Sequence, residues 1–575
     1  MARVLFKTCR ELKEGSMKKK VIATMLCLAT AGSLLAGCGG SSSKNNGADA
    51  DTAASEQSQA VSSVSSDEDS TAAAGNTADT AAQDDEAAKA VADRKAQAEK
   101  DGKYEKIVVG FFDWTGTPAG IDRINEALSK HTEETLGLDV ELQIIDSAAY
   151  GDDMKLILSS GEQMDVFNTC ILGYNTCINN GYVLDLEEDG LFDKYGTGIR
   201  QYVRQDYLDA CRVGGVLYGV PPIKDYAIQT SAVCIGQEYL DGIGYDTSKF
   251  QLDDNGYPVA TWDDIEDIFA KLHEKYPDKY VFAIQDNLLT QGSCVDNVGG
   301  DYYGTLLDPA NSLEVSDVYS SDIFKEWCER TYNWNQKGYI SADAMTDDTG
   351  ASARVKSGAY MAMMACSKPG YKTQISGECG RDMVVFDVGQ SFMSSSSVSS
   401  FPWCINQNTE DPAASMQVLN ALYSDPVVSD LVCWGQEGKE FKVNDDGTIT
   451  YADGVDSTNS EYYPNVLWLM PNPYIAHVWE GDPLNIGEMM ANFNDNCPNK
   501  SKALGFTWDN SEYAAEFTAL QNAYDQYGKQ VTYGFKNPDE GIAELEKALK
   551  DAGLDEYIAA KQKALDDWAS ENNVK

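Results

Sequence analysis

Asp113 and Trp114 follow the apolar run Ile107-Val108-Val109-Gly110-Phe111-Phe112, and a ring placed beside a polar group just past a predicted strand recurs along the chain. Thr169 and Tyr174 follow a third such run, and Asp225 and Tyr226 follow a shorter one. Asn287, Tyr302, Tyr303 and Tyr371 come after later strands, and Trp403 follows a serine-rich stretch. An indole or phenol ring covers the apolar face of a sugar while Asp, Asn or Thr exchanges hydrogen bonds with hydroxyls at its rim. In α/β sheets ligands sit beyond the carboxyl ends of the strands, which is where these residues fall. The chemistry on offer is capture, and it favours a carbohydrate. A peptide or amino acid would want a fixed cation for its carboxylate, and no basic residue stands out for that role. Core packing competes for every ring: Trp327, Trp334 and Trp568 on helical stripes read as core, while Trp434 and Glu437 read equally as braces of a loop or as ligand contacts.

Catalytic chemistry is poorly supplied. His131, His273 and His477 are the three histidines, and the first two lie among charges on predicted helices, where solvent exposure is expected. No HExxH, GxSxG or phosphate-loop string occurs. A glycosidase needs only two carboxylates and so leaves no motif, which keeps a secreted glycan-processing enzyme open as the alternative. A receptor for a peptide or another small solute, or a surface scaffold, also stays open. No catalytic residue, metal ligand or cofactor is expected.

One cysteine carries chemistry of another kind. Lys18-Lys19-Lys20 precedes an apolar stretch from Val21 to Leu35, then Ala36, Gly37 and Cys38. Charged, apolar and small residues in this order make a secretory signal, and the stretch falls short of the roughly 20 apolar residues that a membrane span needs. The end of the run resembles the lipobox of bacterial lipoproteins, in which the cysteine sulfur receives a diacylglyceryl group and cleavage leaves that cysteine first. Met17, just before the lysines, is then a better start than Met1. The other cysteines from Cys170 to Cys497 show no CxxC or Cys/His metal spacing and read as core thiols.

These positions need elements to hold them. From Gly39 to about Gly102 the chain is Ser, Ala, Asp, Gln, Thr and Gly with almost no bulky apolar residue, the composition of a disordered tether. About 60 flexible residues reach on the order of 45 Å. Transient helix is expected over 81–100. Then strands at 106–112, 138–145, 164–167 and 217–220 alternate with helices at 119–136, 152–160 and 175–180, the signature of a largely parallel α/β sheet. A second such unit follows: a helix capped by Thr261, strands at 280–284, 360–365 and 383–388, and a helix at 321–337. The serine-rich stretch 389–401 reads as an interdomain crossing. A helix pair at 413–434, a hairpin around Asp446-Gly447 and amphipathic helices at 514–527, 538–552 and 556–570 complete the chain.

With 575 residues, 43% of them hydrophobic, there is material for more than one domain. A net charge of −46 argues against nucleic acid or an anionic membrane surface as a partner.

Four strings resemble one family. They are Ser159-Ser160-Gly161-Glu162-Gln163-Met164-Asp165-Val166, Tyr218-Gly219-Val220-Pro221-Pro222, Trp434-Gly435-Gln436-Glu437-Gly438-Lys439-Glu440-Phe441, and Leu549-Lys550-Asp551-Ala552-Gly553-Leu554-Asp555 with the helix around Trp568. They are similar to segments of family 1 extracellular solute-binding proteins, the lipoprotein receptors of ABC importers, and of a long subgroup with its own C-terminal helical domain. Gln436, Glu440-Phe441 and Pro222 depart from the family's usual residues. The resemblance implies a two-lobed periplasmic-binding-protein-like fold with discontinuous lobes and a hinge, plus C-terminal helices. It also implies an extracellular, lipid-anchored receptor that works with ABC permease subunits, here expected to be a monomer. The expected division is a leader and signal at 1–37 and a lipidated tether at 38–102. Lobe 1 is expected at 103–222 with about 395–440, lobe 2 at 223–394 with about 441–535, and a C-terminal helical segment at 536–575.

Overall fold

The computed structural model describes residues 76–114, 116–229, 231–285, 293–347, 349–456, 459–462 and 466–574. Cys38, the leader and most of the tether lie outside them, as does Asn287.

The first lobe is built on the strand Glu105–Asp113, which is buried from Ile107 onward. Its near-continuous apolar run is what a strand covered on both faces requires. It pairs in parallel with Leu138–Asp146 on one side and Val166–Asn168 on the other. The helix Ile121–Thr135 makes the first crossover and turns Ile124, Leu128 and Thr132 inward. Trp403–Ile405 returns antiparallel to Val166–Asn168, and Gly219–Val220 closes the five-stranded sheet.

The second lobe has a four-stranded sheet in the order Met383–Asp387, Ala232–Gly236, Tyr360–Ala365, Tyr280–Ala283. Strand alternation sorts its side chains between two cores. Val233 and Ile235 face Phe269, Phe282 and Trp334 on one side, while Ala232 and Cys234 face Val355, Ile375 and Met383 on the other. The helix Trp262–Lys275 starts in a full capping box, Thr261 and Asp264 each satisfying the other's backbone N–H.

Between the lobes runs a three-stranded sheet made only of crossing segments. Ser391–Met393 pairs antiparallel with Ile228–Gln229 and parallel with Asn499–Lys500. The expected crossing at 389–401 is therefore one of three. Together these features make a two-lobed periplasmic-binding-protein fold with extra C-terminal helices.

Packing redraws several expected boundaries. A helix, Asn76–Asp101, forms and packs where a disordered tether with only transient helix over 81–100 was expected. It lies against lobe 1, with Ala98 buried, the Arg94 guanidinium donating to the Leu136 carbonyl, and Gln417 donating to that of Ala87. Phe441, Ile449, Tyr462, Leu469 and Met470, expected in lobe 2, join the core of lobe 1. Leu520, Tyr524 and Val531 pack with Leu545, Leu549 and Tyr557, so the C-terminal core starts well before 536. It also takes in Tyr303, Val318, Tyr319 and Phe324 from the middle of the chain. The hairpin forms as expected from Phe441–Val443 and Ile449–Tyr451. His131 and His273, expected in solvent, are half-buried: His131 meets Asp425 at 2.7 Å, and His273 packs on Tyr339.

Candidate interlobe binding site

At the carboxyl end of the first strand Trp114 is 56% exposed, the most open of the tryptophans among the described residues. Its ring meets Phe112 edge-on at 5.2 Å, Phe112 approaches Trp468 at 6.2 Å, and Trp468 meets Phe401 edge-on at 5.1 Å. The Lys224 ammonium stands 5.3 Å over the Phe401 ring. A row of ring contacts therefore runs from the end of the first strand of lobe 1 to the first crossing; Phe112 is buried within it, and Trp114, Trp468 and Phe401 are its rings with open surface. Asp113 is buried beside its start.

The row ends in a charged group shared between hinge and lobe 2. Lys224 and Asp225 belong to the crossing, and Lys368 lies just past the lobe 2 strand Tyr360–Ala365; each ammonium is 3.7 Å from Asp225 Oδ1. Burial works to raise the Asp225 carboxyl, and the two ammoniums more than offset it, holding it below the usual range. Burial lowers Lys224. Cys366 is exposed near this group.

Asn168 holds the lobe 1 wall in shape. Its amide donates to the Phe401 carbonyl at 2.9 Å and accepts the Cys170 N–H at 2.8 Å. The next residue, Ile171, is half exposed and has φ 68°. A β-branched residue in the left-handed region is an outlier that the surrounding structure must enforce, at roughly 1–3 kcal/mol.

The expected ligand positions separate into two groups. Trp114 and Asp225 lie along the ring contacts and charged group just described, with Asp113 buried beside them. Thr169 is next to it but buried, its hydroxyl donating to the Pro402 carbonyl. The other rings are core residues, because each has its polar atom or its faces satisfied inside. The Tyr174 hydroxyl donates to Cys211 O, Tyr226 to Pro222 O, and the Trp403 indole to Leu469 O. Tyr371 packs under lobe 2, and Tyr302 and Tyr303 belong to the C-terminal core. Phe401, Trp468, Lys224 and Lys368 went unread. Their one sequence signal is position: Lys224 precedes Asp225, Phe401 precedes the return strand, and Lys368 opens a Lys-Pro-Gly turn.

A separate cavity of about 900 Å3, lined by Arg94, Asp101, Glu105, Asp165, Glu410 and Asp411 among others, lies at the amino ends of the lobe 1 strands. That is the end opposite the aromatic row. Among the described residues no three His, Cys, Asp or Glu side chains group to hold a metal ion, and no helix is long and apolar enough to cross a membrane.

Residues 502–570 match the domain of unknown function DUF3502. Over 474 residues the chain is 22% identical to a carbohydrate ABC transporter substrate-binding protein of Streptococcus pneumoniae serotype 4, covering 81% of this chain and 91% of that protein. The crystal structure of the N-glycan transport solute binding protein of Streptococcus pneumoniae superposes with a TM-score of 0.70 at 22% identity, over 81% of this chain and 99% of that one. A solute binding protein of Bifidobacterium longum infantis, described as HMO binding and ABC-transporter associated, superposes with a TM-score of 0.58 at 16% identity, over 80% of this chain and 98% of that one. At these identities the likeness establishes the fold.

Proposed function

We propose that this chain is an extracellular solute receptor that closes its two lobes on a carbohydrate and hands it to the permease subunits of an ABC importer. One observation carries the reading: the aromatic row from Trp114 to Phe401 ends at a charged group contributed by both the hinge and lobe 2. Rings give area and orientation against sugar faces, and polar groups from two lobes let ligand favour the closed state. The relatives support the carbohydrate class, since one of them was solved with Man5GlcNAc bound. The receptor acts without catalysis, as a monomer, and is held at the outer face of the cell membrane by lipid on Cys38.

A thermal-shift screen of the purified protein against mono- and oligosaccharides, amino acids and peptides tests this. Ligand at about 100 times its dissociation constant adds about 2.7 kcal/mol to stability. Stabilisation by one carbohydrate class supports the receptor. Stabilisation by peptides alone, or release of products from an added glycan, contradicts it.

A further inference from the structure

Resting on the receptor reading above, we propose that the cleft takes an acidic carbohydrate, whose carboxylate bridges the ammonium groups of Lys224 and Lys368. In a chain of net charge −46, the hinge end of the cleft sets two ammoniums against the single carboxylate of Asp225. At 3.7 Å each is at ion-pair distance from Asp225 Oδ1 but outside hydrogen-bonding range. Buried Asp225 Oδ1 accepts no hydrogen bond among the described residues. Lys224 donates to the Asp225 carbonyl at 3.3 Å and otherwise faces the Phe401 ring.

The two ammoniums hold six N–H donors, of which one meets the Asp225 carbonyl, and both side chains keep an open face, 14% and 21% exposed, where a ligand could reach them. Burial lowers Lys224 and the neighbouring charge of Lys368 does so too, against the pull of Asp225. Asp482 also feels the Lys368 charge, and burial pushes Asp482 towards its neutral form. The two nitrogens share one oxygen neighbour, so they lie no more than twice 3.7 Å apart. One carboxylate can span such a gap with charge-assisted bonds of about 2.8 Å to each. Because Lys224 belongs to the crossing and Lys368 to lobe 2, such a bridge would also fasten the closed arrangement.

Calorimetric titration of the purified protein with matched oligosaccharides, alike except that one ends in a neutral hexose and the other in the corresponding uronic acid, tests this. The acidic partner should bind about tenfold tighter or more, and the preference should shrink with added salt. It should vanish in Lys224→Met and Lys368→Met. Should Lys224→Met fail to fold, Lys368→Gln, on the partly exposed side chain, carries the same comparison. Equal or tighter binding of the neutral sugar overturns the inference and leaves the receptor intact. Failure of both sugars, together with every other carbohydrate, on folded protein overturns both.

Discussion

The side-chain carbonyl of Asn494 accepts the backbone N–H of Tyr226 at 2.8 Å. The same oxygen accepts the N–H of Ala227 at 2.9 Å, and the Asn494 amide donates to the Lys224 carbonyl at 2.7 Å. One buried side chain from the helix Ile486–Asp495 therefore fixes the crossing that carries Lys224 and Asp225. Asn494→Ala leaves two buried N–H groups and a carbonyl without their partner. The expected cost is about 2–4 kcal/mol in denaturant unfolding. Asn494→Asp, which keeps the acceptor and loses the donor, should fall between. A neutral effect of the alanine would remove this account of the hinge.

Glu440 is buried, and its carboxylate takes Arg123 at 2.5 and 3.0 Å while also accepting the Gln436 N–H at 2.9 Å. The pair ties the loop after the helix Pro426–Cys433 to the first crossover helix. Glu440→Gln leaves partly buried Arg123 with only the exposed Glu461, at 3.3 Å, as counter-charge, and should lower stability by about 1–3 kcal/mol. Arg123→Met with Glu440→Met should recover part of that loss, as measured by a double-mutant cycle.

Asp387 is buried at the end of its strand, with the Ser367 hydroxyl donating to it at 2.6 Å. Burial first, and then hydrogen bonding with the Asp253 carboxyl, pushes it up to about 8. Its ordinary value in the unfolded chain is 3.8. Between these values the folded protein holds a proton that the unfolded chain has released, so stability falls as pH rises from about 4 to about 8, by at most about 1.4 kcal/mol per unit. Asp387→Asn should flatten this part of the melting-temperature profile and be the more stable protein at pH 7.5. An unchanged slope would mean that the two carboxyls share no proton.

Among the described residues Cys366 is the exposed cysteine, and it lies near Asp225. Bound ligand should slow its alkylation by maleimide about tenfold or more at saturation, read by peptide mass spectrometry. Alkylation at the same rate with ligand present would place the ligand elsewhere.

The α/β core was legible because buried strands write themselves as continuous apolar runs, as in Ile107–Phe112, and because Thr261 and Asp264 spell a helix start. The packing of the helix Asn76–Asp101 was not. It rests on small residues such as Ala98 and on side-chain bonds to backbone carbonyls, which composition does not reveal. The binding positions were half legible for a related reason. A ring past a strand end looks the same in sequence whether its hydroxyl meets ligand or, like Tyr174 and Tyr226, a carbonyl inside the core. Lys224 and Lys368 stand far apart in the chain and meet only once the crossing and lobe 2 are folded together. Phe441, Ile449, Tyr462 and Met470, expected within a lobe 2 segment at about 441–535, pack with lobe 1 residues, and the short loops and strands that carry them bear no mark of which lobe they cover.

The central claim is that a carbohydrate lies against the aromatic row, and titration of wild type and Trp114→Ala with the best sugar from the screen tests it most directly. Trp114 is largely exposed, so its removal should leave the melting temperature within about 2 °C. The account predicts one saturable site in the wild type and a loss of affinity of about tenfold or more in the variant, roughly 1.4 kcal/mol. Undiminished affinity in the folded variant would contradict it.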